Sequence, residues 1–248
     1  MTVFQAELKY YFRSPIIWLI LSFSAFVSAW SFLLTIDLFT TLQIKFASMS
    51  DAPSITQGII FPLLKAQAKI LMVVVAIIGG LSFARLADIN AWSLLLGAGC
   101  SEWKLVRQKY WALVLVVLIF ILPSLLAIMS LVFMADIQWW PVLLSIGGLL
   151  LLLFWMTAIA MLVSSFINNS GFAILLNLVL FMLLLLFAQS IDDGSWGKNW
   201  LEVLSPYYHF IQFQGSYVSW ATVLYFMLGI LLSLWFIRIR LIHKRHHL

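Results

Sequence analysis

The sequence predicts an all-α protein that crosses a membrane several times, and its composition carries the prediction. Of the 248 residues, 64% are hydrophobic and only 9% are charged, whereas about a quarter of the residues in a water-soluble domain are charged. The mean hydropathy is +1.09, and the chain contains 20 Phe, 12 Trp and 7 Tyr, as lipid-facing surfaces with interfacial aromatic rings require. These values exclude a soluble globular domain and a disordered chain.

Two further classes are excluded by the charges and the cysteine content. The net charge of +5 does not indicate a nucleic-acid partner, because the basic residues stand at the ends of apolar runs. The single cysteine, Cys100, excludes a disulfide framework and any metal site built from several cysteines.

The spans follow from five intervals that contain no Asp, Glu, Lys or Arg. A spanning helix needs about 20 apolar residues, and the longest interval, from Asp136 to Asp192, holds two spans that a turn at 168–171 separates. Backbone polar groups in lipid must be satisfied within the chain, so these runs are helices. One transmembrane domain over 1–248 is therefore expected, with six spans near residues 15–36, 62–84, 110–133, 141–166, 172–190 and 219–239.

Residues 3–14 are expected to form an interfacial elbow helix before the chain enters the bilayer at Pro15. Its apolar and polar residues separate on a helical projection, with Phe4, Leu8, Tyr11 and Phe12 on one face and Gln5, Lys9 and Arg13 on the other. The alternative is an ordinary basic segment next to the membrane.

Lys and Arg also predict the orientation. With six spans, ten of these residues lie on the side of both termini and four on the other side. Positively charged loops remain in the cytoplasm, so both termini are expected there.

The sequence contains no motif for catalysis or for nucleotide binding. It lacks a phosphate-binding loop and the H-E-x-x-H and G-x-S-x-G patterns, so we expect no enzymatic activity, no cofactor and no metal site. Lys65 and Lys69 are the exceptional ionisable residues inside the predicted spans. They either reach the outer interface or contact an anionic ligand, and they are candidate outer substrate contacts.

The loop 85–109 is the one sizeable segment between spans on the side of the termini. Within 87–96, four apolar residues recur at helical spacing, namely Ile89, Trp92, Leu95 and Leu96. They form one face of a short helix that Gly97 can end. This face either rests on lipid or docks into a groove of a soluble partner.

The order of these features resembles the permease subunits of ABC-2-type ATP-binding-cassette exporters, particularly the short six-span kind found in gliding-motility and copper-processing systems. The segment 7–15 resembles the family's elbow motif E-L-x-x-[FY]-F-x-S-P. Residues 82–85, 92–96 and 103–109 resemble its S-F-A-E-E, T-x-E-L-L-L and G-K stretch. Residues 164–169 resemble its short inner loop, and 204–215 resemble the re-entrant segment before the last span.

This resemblance implies a permease that works with partners in a bacterial inner membrane. Two permease copies, identical or different, would stand in the membrane lipids above two cytoplasmic ATP-binding subunits. The coupling helix that seats on the ATPase would present Asp88, Ile89, Trp92, Leu95 and Leu96. Lipid-like, peptide or polymer cargo is expected rather than a small ion, because the spans contain no ion-ligating carboxylate.

The chain departs from the family pattern at one place. Where acidic residues usually follow S-F-A, it has Arg85, Leu86 and Ala87, and only Asp88 remains. Either the partner ATPase has changed to match, or this subunit pairs with a more typical permease. Two other functions stay open: an ATP-independent transporter, for which no internal repeat is evident, and a membrane scaffold or assembly factor that transports nothing.

Overall fold

The structure is a computed structural model that describes residues 2–46, 53–88, 101–133, 137–189, 204–215 and 218–246. The described part is 92% helical and contains no strand. Six of its helical stretches are long and apolar enough to cross a membrane: Pro15–Leu42, Thr56–Leu86, Glu102–Val132, Trp139–Phe166, Ser170–Ala188 and Trp220–Arg245. The predicted fold class, an all-α polytopic membrane protein, is confirmed.

Nine α-helices make up the described residues. In chain order they are α1 (Val3–Arg13), α2 (Pro15–Phe46), α3 (Phe61–Asp88), α4 (Glu102–Leu118), α5 (Leu122–Val132), α6 (Trp139–Phe166), α7 (Ser170–Gln189), α8 (Pro206–Gln212) and α9 (Trp220–His246). A π-helical turn, Thr56–Ile60, leads into α3, and a 3₁₀ turn, Ile119–Ile121, joins α4 to α5.

Two spans start earlier than predicted. The second starts at Thr56 instead of 62, because a π-helical turn continues the helix backwards over uncharged residues. The third starts at Glu102 instead of 110, because charged residues are incorporated into the helix. Lys109, for example, is buried and ion-paired, so its charge does not mark the end of the span.

The helix α1 begins with a capping box, in which Thr2 and Gln5 exchange side-chain and backbone hydrogen bonds. Its buried face largely agrees with the predicted apolar face. Tyr11 is buried and Phe4 and Leu8 are partly buried, whereas Phe12 is 40% exposed. The departure is Glu7, which is buried beside this face because its carboxylate pairs with cations of α3 and α4.

Helix α3 is the centre of the bundle and packs closely on α6 and α7. The approach is closest at Gly79 and Gly80. A Cβ atom on Gly79 would collide with the Cβ of Ala160, and one on Gly80 would lie 2.9 Å from the Cα of Ile174. Only glycine lets these backbones meet here, as small residues do between membrane helices.

The first three spans share a buried hydrogen-bond network at the middle of the first span. Gln67 of α3 donates to the Phe120 carbonyl oxygen at 2.7 Å and accepts from the Ser28 hydroxyl at 2.7 Å. Ser28 is 13 residues from Pro15 and 14 from Leu42, which places it about 20 Å from either end of its span at 1.5 Å per residue. The network therefore lies at the middle of the first span.

Candidate functional site

A buried ionic cluster lies at one end of the bundle, next to both flanks of the segment 89–100. We call this end, which carries α1 and the last turns of α9, the terminal face. The Lys109 ammonium lies 2.8 Å from the Glu7 Oε1 atom and donates to the Ser82 carbonyl oxygen at 2.6 Å. The Arg85 guanidinium lies 3.7 Å from the same carboxylate oxygen and 3.3 Å from the centre of the Tyr10 ring.

Burial makes these contacts energetically important. Lys109 is 1% exposed and Glu7 is 8% exposed. Removing one partner of a buried pair leaves an uncompensated charge, which typically costs about 3–5 kcal/mol. Burial also raises the pKa of Tyr11, and the Glu7 carboxylate adds to this effect, so the Tyr11 hydroxyl stays neutral beside the cluster.

The cluster joins three elements that are distant in sequence. Arg85 belongs to the last turn of α3, before the segment 89–100, and Lys109 belongs to α4, after it. Glu7 of α1 contacts both. Glu7 therefore joins α1 to two spans.

Two further contacts hold the flanks. Glu102, the first residue of α4, pairs with Arg245 of α9 at 2.5 Å. The Asp88 carboxylate accepts a hydrogen bond from the backbone N–H of Ser170 at 3.2 Å. A carboxylate at this position caps the start of α7, where the helix dipole favours negative charge.

The last turns of α3 are also fixed to α6 by one hydroxyl group. Ser164 donates to the Gly80 carbonyl oxygen at 2.7 Å and accepts from the backbone N–H groups of Phe83 and Ala84 at 3.0 and 2.9 Å. Ser164 is fully buried, so its loss would leave these backbone groups without a partner from α6.

Only one of the five predicted docking residues lies within the described residues. Asp88 is described, is exposed and caps α7. Ile89, Trp92, Leu95 and Leu96 lie outside the described residues, so the predicted coupling helix stays a prediction.

Lys65 and Lys69, the predicted substrate contacts, flank Gln67 on α3. Lys69 is 13 residues from Thr56 and 17 from Leu86, or about 20 and 26 Å from the ends of its span. The stem of a lysine is much shorter than the roughly 15 Å half-thickness of the hydrocarbon region. Lys65 is nine residues from Thr56, or about 14 Å, so it lies nearer to the end of the span than Lys69 does.

Lys69 lines an apolar groove of about 470 Å³ between α2, α3 and α7. Lys65 is half-buried and is not among the lining residues. The rest of the lining is aliphatic and aromatic apart from Ser24. The structure therefore brings one predicted substrate contact, Lys69, into a cavity and leaves the other outside it.

The segment that resembles a re-entrant element is packed into the bundle. Ser205 caps α8 by accepting from the Tyr208 N–H and donates to the Leu184 carbonyl oxygen at 3.1 Å. Phe210 is fully buried, and the His209 ring stacks on Tyr225 with centroids 4.2 Å apart. This part of the chain stabilises the packing between α6, α7 and α9.

The ion pair between Glu7 and Lys109 was not predicted from the sequence. Glu7 was visible as an acid one helical turn before Tyr11 in an otherwise apolar stripe, and a buried acid on such a stripe needs a cation. Nothing local indicated which cation.

No protein-family model matches the chain, and no curated protein is significantly similar to it. The resemblance described above therefore rests on the motifs quoted there.

Proposed function

We propose that the chain is the transmembrane permease subunit of an ABC exporter, which moves its substrate with ATP hydrolysed by a separate subunit. In this proposal two permease copies stand side by side in a bacterial inner membrane, with both termini in the cytoplasm. The terminal face then meets the ATPase, and the segment 89–100 is the docking element.

The observation that carries the proposal is the Glu7 cluster. A permease that lacks its own energy source must convert a push on one loop into movement of its spans. Glu7 connects both flanks of the segment 89–100 to the elbow helix through contacts of 2.8 and 3.7 Å. Ser164 and Asp88 connect the same flank to α6 and α7. A loop that served only as a linker would not need these connections.

The test is purification of the tagged chain from its native membranes in a mild detergent, followed by ATP hydrolysis measurements. We expect a co-purified chain with a phosphate-binding loop, and hydrolysis only in the complex. Trp92→Ala should remove the ATPase chain and the activity, since an aromatic anchor of a small interface typically contributes about 2 kcal/mol or more. Trp140→Ala is the matched control, because Trp140 is exposed at the start of α6, away from the terminal face.

Hydrolysis by the chain alone would overturn the proposal. So would a preparation in which Trp92→Ala and Asp88→Lys both leave the ATPase content unchanged, because the docking site would then lie elsewhere.

A second candidate, transport without ATP, is favoured by the position of Lys69, which lies 13 residues inside its span. Ionisable residues within the membrane commonly mark ion or substrate pathways. Proteoliposomes that contain the chain alone, compared with proteoliposomes that also contain the ATPase, distinguish the two candidates. Substrate uptake driven by a proton gradient in the first supports the second candidate, and substrate uptake that requires the ATPase and ATP supports the first candidate.

A further inference from the structure

The groove between α2, α3 and α7 combines an apolar wall with a cation near the middle of the second span. Its lining includes Phe23 and Val27 of α2, Val73 of α3, and Met182 and Leu185 of α7. Its volume of about 470 Å³ falls in the lower part of the roughly 300–1,000 Å³ typical of ligand pockets. A cavity of this shape and lining accommodates a hydrocarbon chain.

Lys69 is the charged residue of this lining, and within the described ranges it has neither an ion pair nor a hydrogen bond. Its side chain is exposed to the groove. Lys109 shows how the same chain treats a lysine that stabilises the fold, since that ammonium is buried against Glu7 and a carbonyl oxygen. An ammonium in an apolar environment requires a counter-charge, and the described residues near Lys69 supply none.

Ser24 provides a second, independent observation. It lines the same groove, is 2% exposed, and its hydroxyl has no hydrogen-bond partner among the described residues. Several other hydroxyls in the spans donate to a carbonyl oxygen three or four residues earlier, as Thr157 and Ser233 do at 2.8 and 2.6 Å. Ser82 is the other buried serine whose hydroxyl has no partner among the described residues. Buried hydroxyl groups are normally satisfied, so the Ser24 hydroxyl is available to a ligand in the groove.

We propose that this groove binds an anionic amphiphile with a single chain. Its carboxylate or phosphate group contacts the Lys69 ammonium and the Ser24 hydroxyl, and its hydrocarbon chain lies against Phe23, Val73 and Leu185. The inference deepens the proposed function, on which it rests for the conclusion that this ligand is the transported substrate. A resident phospholipid keeps its headgroup at the interface, about 15 Å from the bilayer centre. Lys69 lies about 20 Å from the nearer end of its span, so the ligand that we propose is a single-chain amphiphile and not a resident phospholipid.

The test uses the full chain in nanodiscs of zwitterionic lipid. The probe is stearic acid with a nitroxide near the end of its chain, and the matched control ligand is its uncharged methyl ester. Immobilisation of the nitroxide, measured by electron paramagnetic resonance, reports binding. We expect the acid to bind at least about tenfold more tightly than the ester, as for a hydrogen-bonded charged group.

The variants separate charge from fold. Lys69→Met should remove the preference for the acid and leave ester binding unchanged, and Lys69→Arg should retain the preference. Ser24→Ala should weaken acid binding about threefold or more through the lost hydrogen bond. Lys104→Met is the matched control, because Lys104 is exposed at the terminal end of α4, and it should bind like the original protein. Each variant is used only if it elutes as the same monodisperse species.

Equal binding of acid and ester, or an unchanged preference in Lys69→Met, would overturn the proposal. The proposal would also be overturned if a second copy of the chain covered the groove. In that case Phe23→Cys, in a Cys100→Ser background, would form a disulfide crosslink between two copies, and the probe would not bind. The assay requires no ATPase. If the acid binds but no ATPase co-purifies, the proposed function is refuted and the binding site stands. If an ATPase co-purifies but the acid does not bind, the proposed function stands and the permease has another substrate.

Discussion

Glu7→Gln tests the idea that the buried cluster holds the terminal face together. The substitution keeps the size of the side chain and removes its charge. Lys109 is left with the Ser82 carbonyl oxygen at 2.6 Å and the Phe83 ring at 5.0 Å, and Arg85 loses its acid at 3.7 Å. Because two cations then share no counter-charge in a buried environment, we expect a loss of about 3–5 kcal/mol in the free energy of unfolding.

The measurement is unfolding of the purified protein by sodium dodecyl sulfate in mixed micelles, followed by circular dichroism. A double-mutant cycle with Lys109→Met sharpens it. The double variant Glu7→Gln/Lys109→Met should lose about 1–3 kcal/mol less free energy of unfolding than the sum of the two single variants, as residues in one ionic network do. The double variant should still be less stable than the original protein, because Arg85 also contacts Glu7 and keeps no counter-charge.

Glu102→Gln is the matched control, since it removes the same kind of acid at the same face from an exposed pair. Arg245 is 47% exposed in this pair, and exposed pairs contribute about 0–1 kcal/mol. The reasoning is refuted if Glu7→Gln costs no more than Glu102→Gln, or if the effects of Glu7→Gln and Lys109→Met are additive.

Three further predictions concern other contacts. Gly80→Leu should prevent recovery of monodisperse protein on size-exclusion chromatography, because a side chain there meets the backbone at Ile174, whereas Gly147→Ala, which has open space around it, should behave normally. Asp88→Ala should lower the free energy of unfolding by about 1 kcal/mol through the lost hydrogen bond to the Ser170 N–H, and Asp88→Asn should recover most of it, whereas equal losses would refute this role. In a background without Cys100, a cysteine at Ser101 should react with a membrane-impermeant maleimide only from the side of the termini, and labelling from the opposite side would contradict the topology.

The spans could be predicted from sequence because lipid imposes one simple requirement, a long run of apolar residues in a helix. Helix ends were predicted less well, because charged residues were read as boundaries. Lys109 and Glu102 are charged residues that do not end a helix. Lys109 pairs with Glu7, and Glu102 pairs with Arg245, and these partners from distant parts of the chain let the helix continue past the charge.

The candidate site was predicted only in part, for the same physical reason. Lys69 was noticed because its charge interrupts an apolar run. The Glu7–Lys109 pair spans 102 positions, and a pair that only tertiary packing brings together leaves no local pattern. Ser24 was missed because serine is common in membrane helices, where it usually bonds to its own backbone. Its importance depends on the absence of that bond among the described contacts.

The contrast between Lys109 and Lys69 assigns different roles to two lysines in the same bundle. A charge that stabilises a fold must have its partner within that fold, because an unpaired charge in an apolar environment costs more than the packing around it returns. Lys109 meets this condition and Lys69, within the described residues, does not. A structural role for Lys69 would also predict a large destabilisation on replacement, whereas Lys69→Met should leave the free energy of unfolding unchanged or raise it. Lys109→Met, measured beside it, should destabilise the protein strongly. The sign of the change in the free energy of unfolding therefore separates the two roles. A comparable loss in both variants would show that Lys69 has a structural partner.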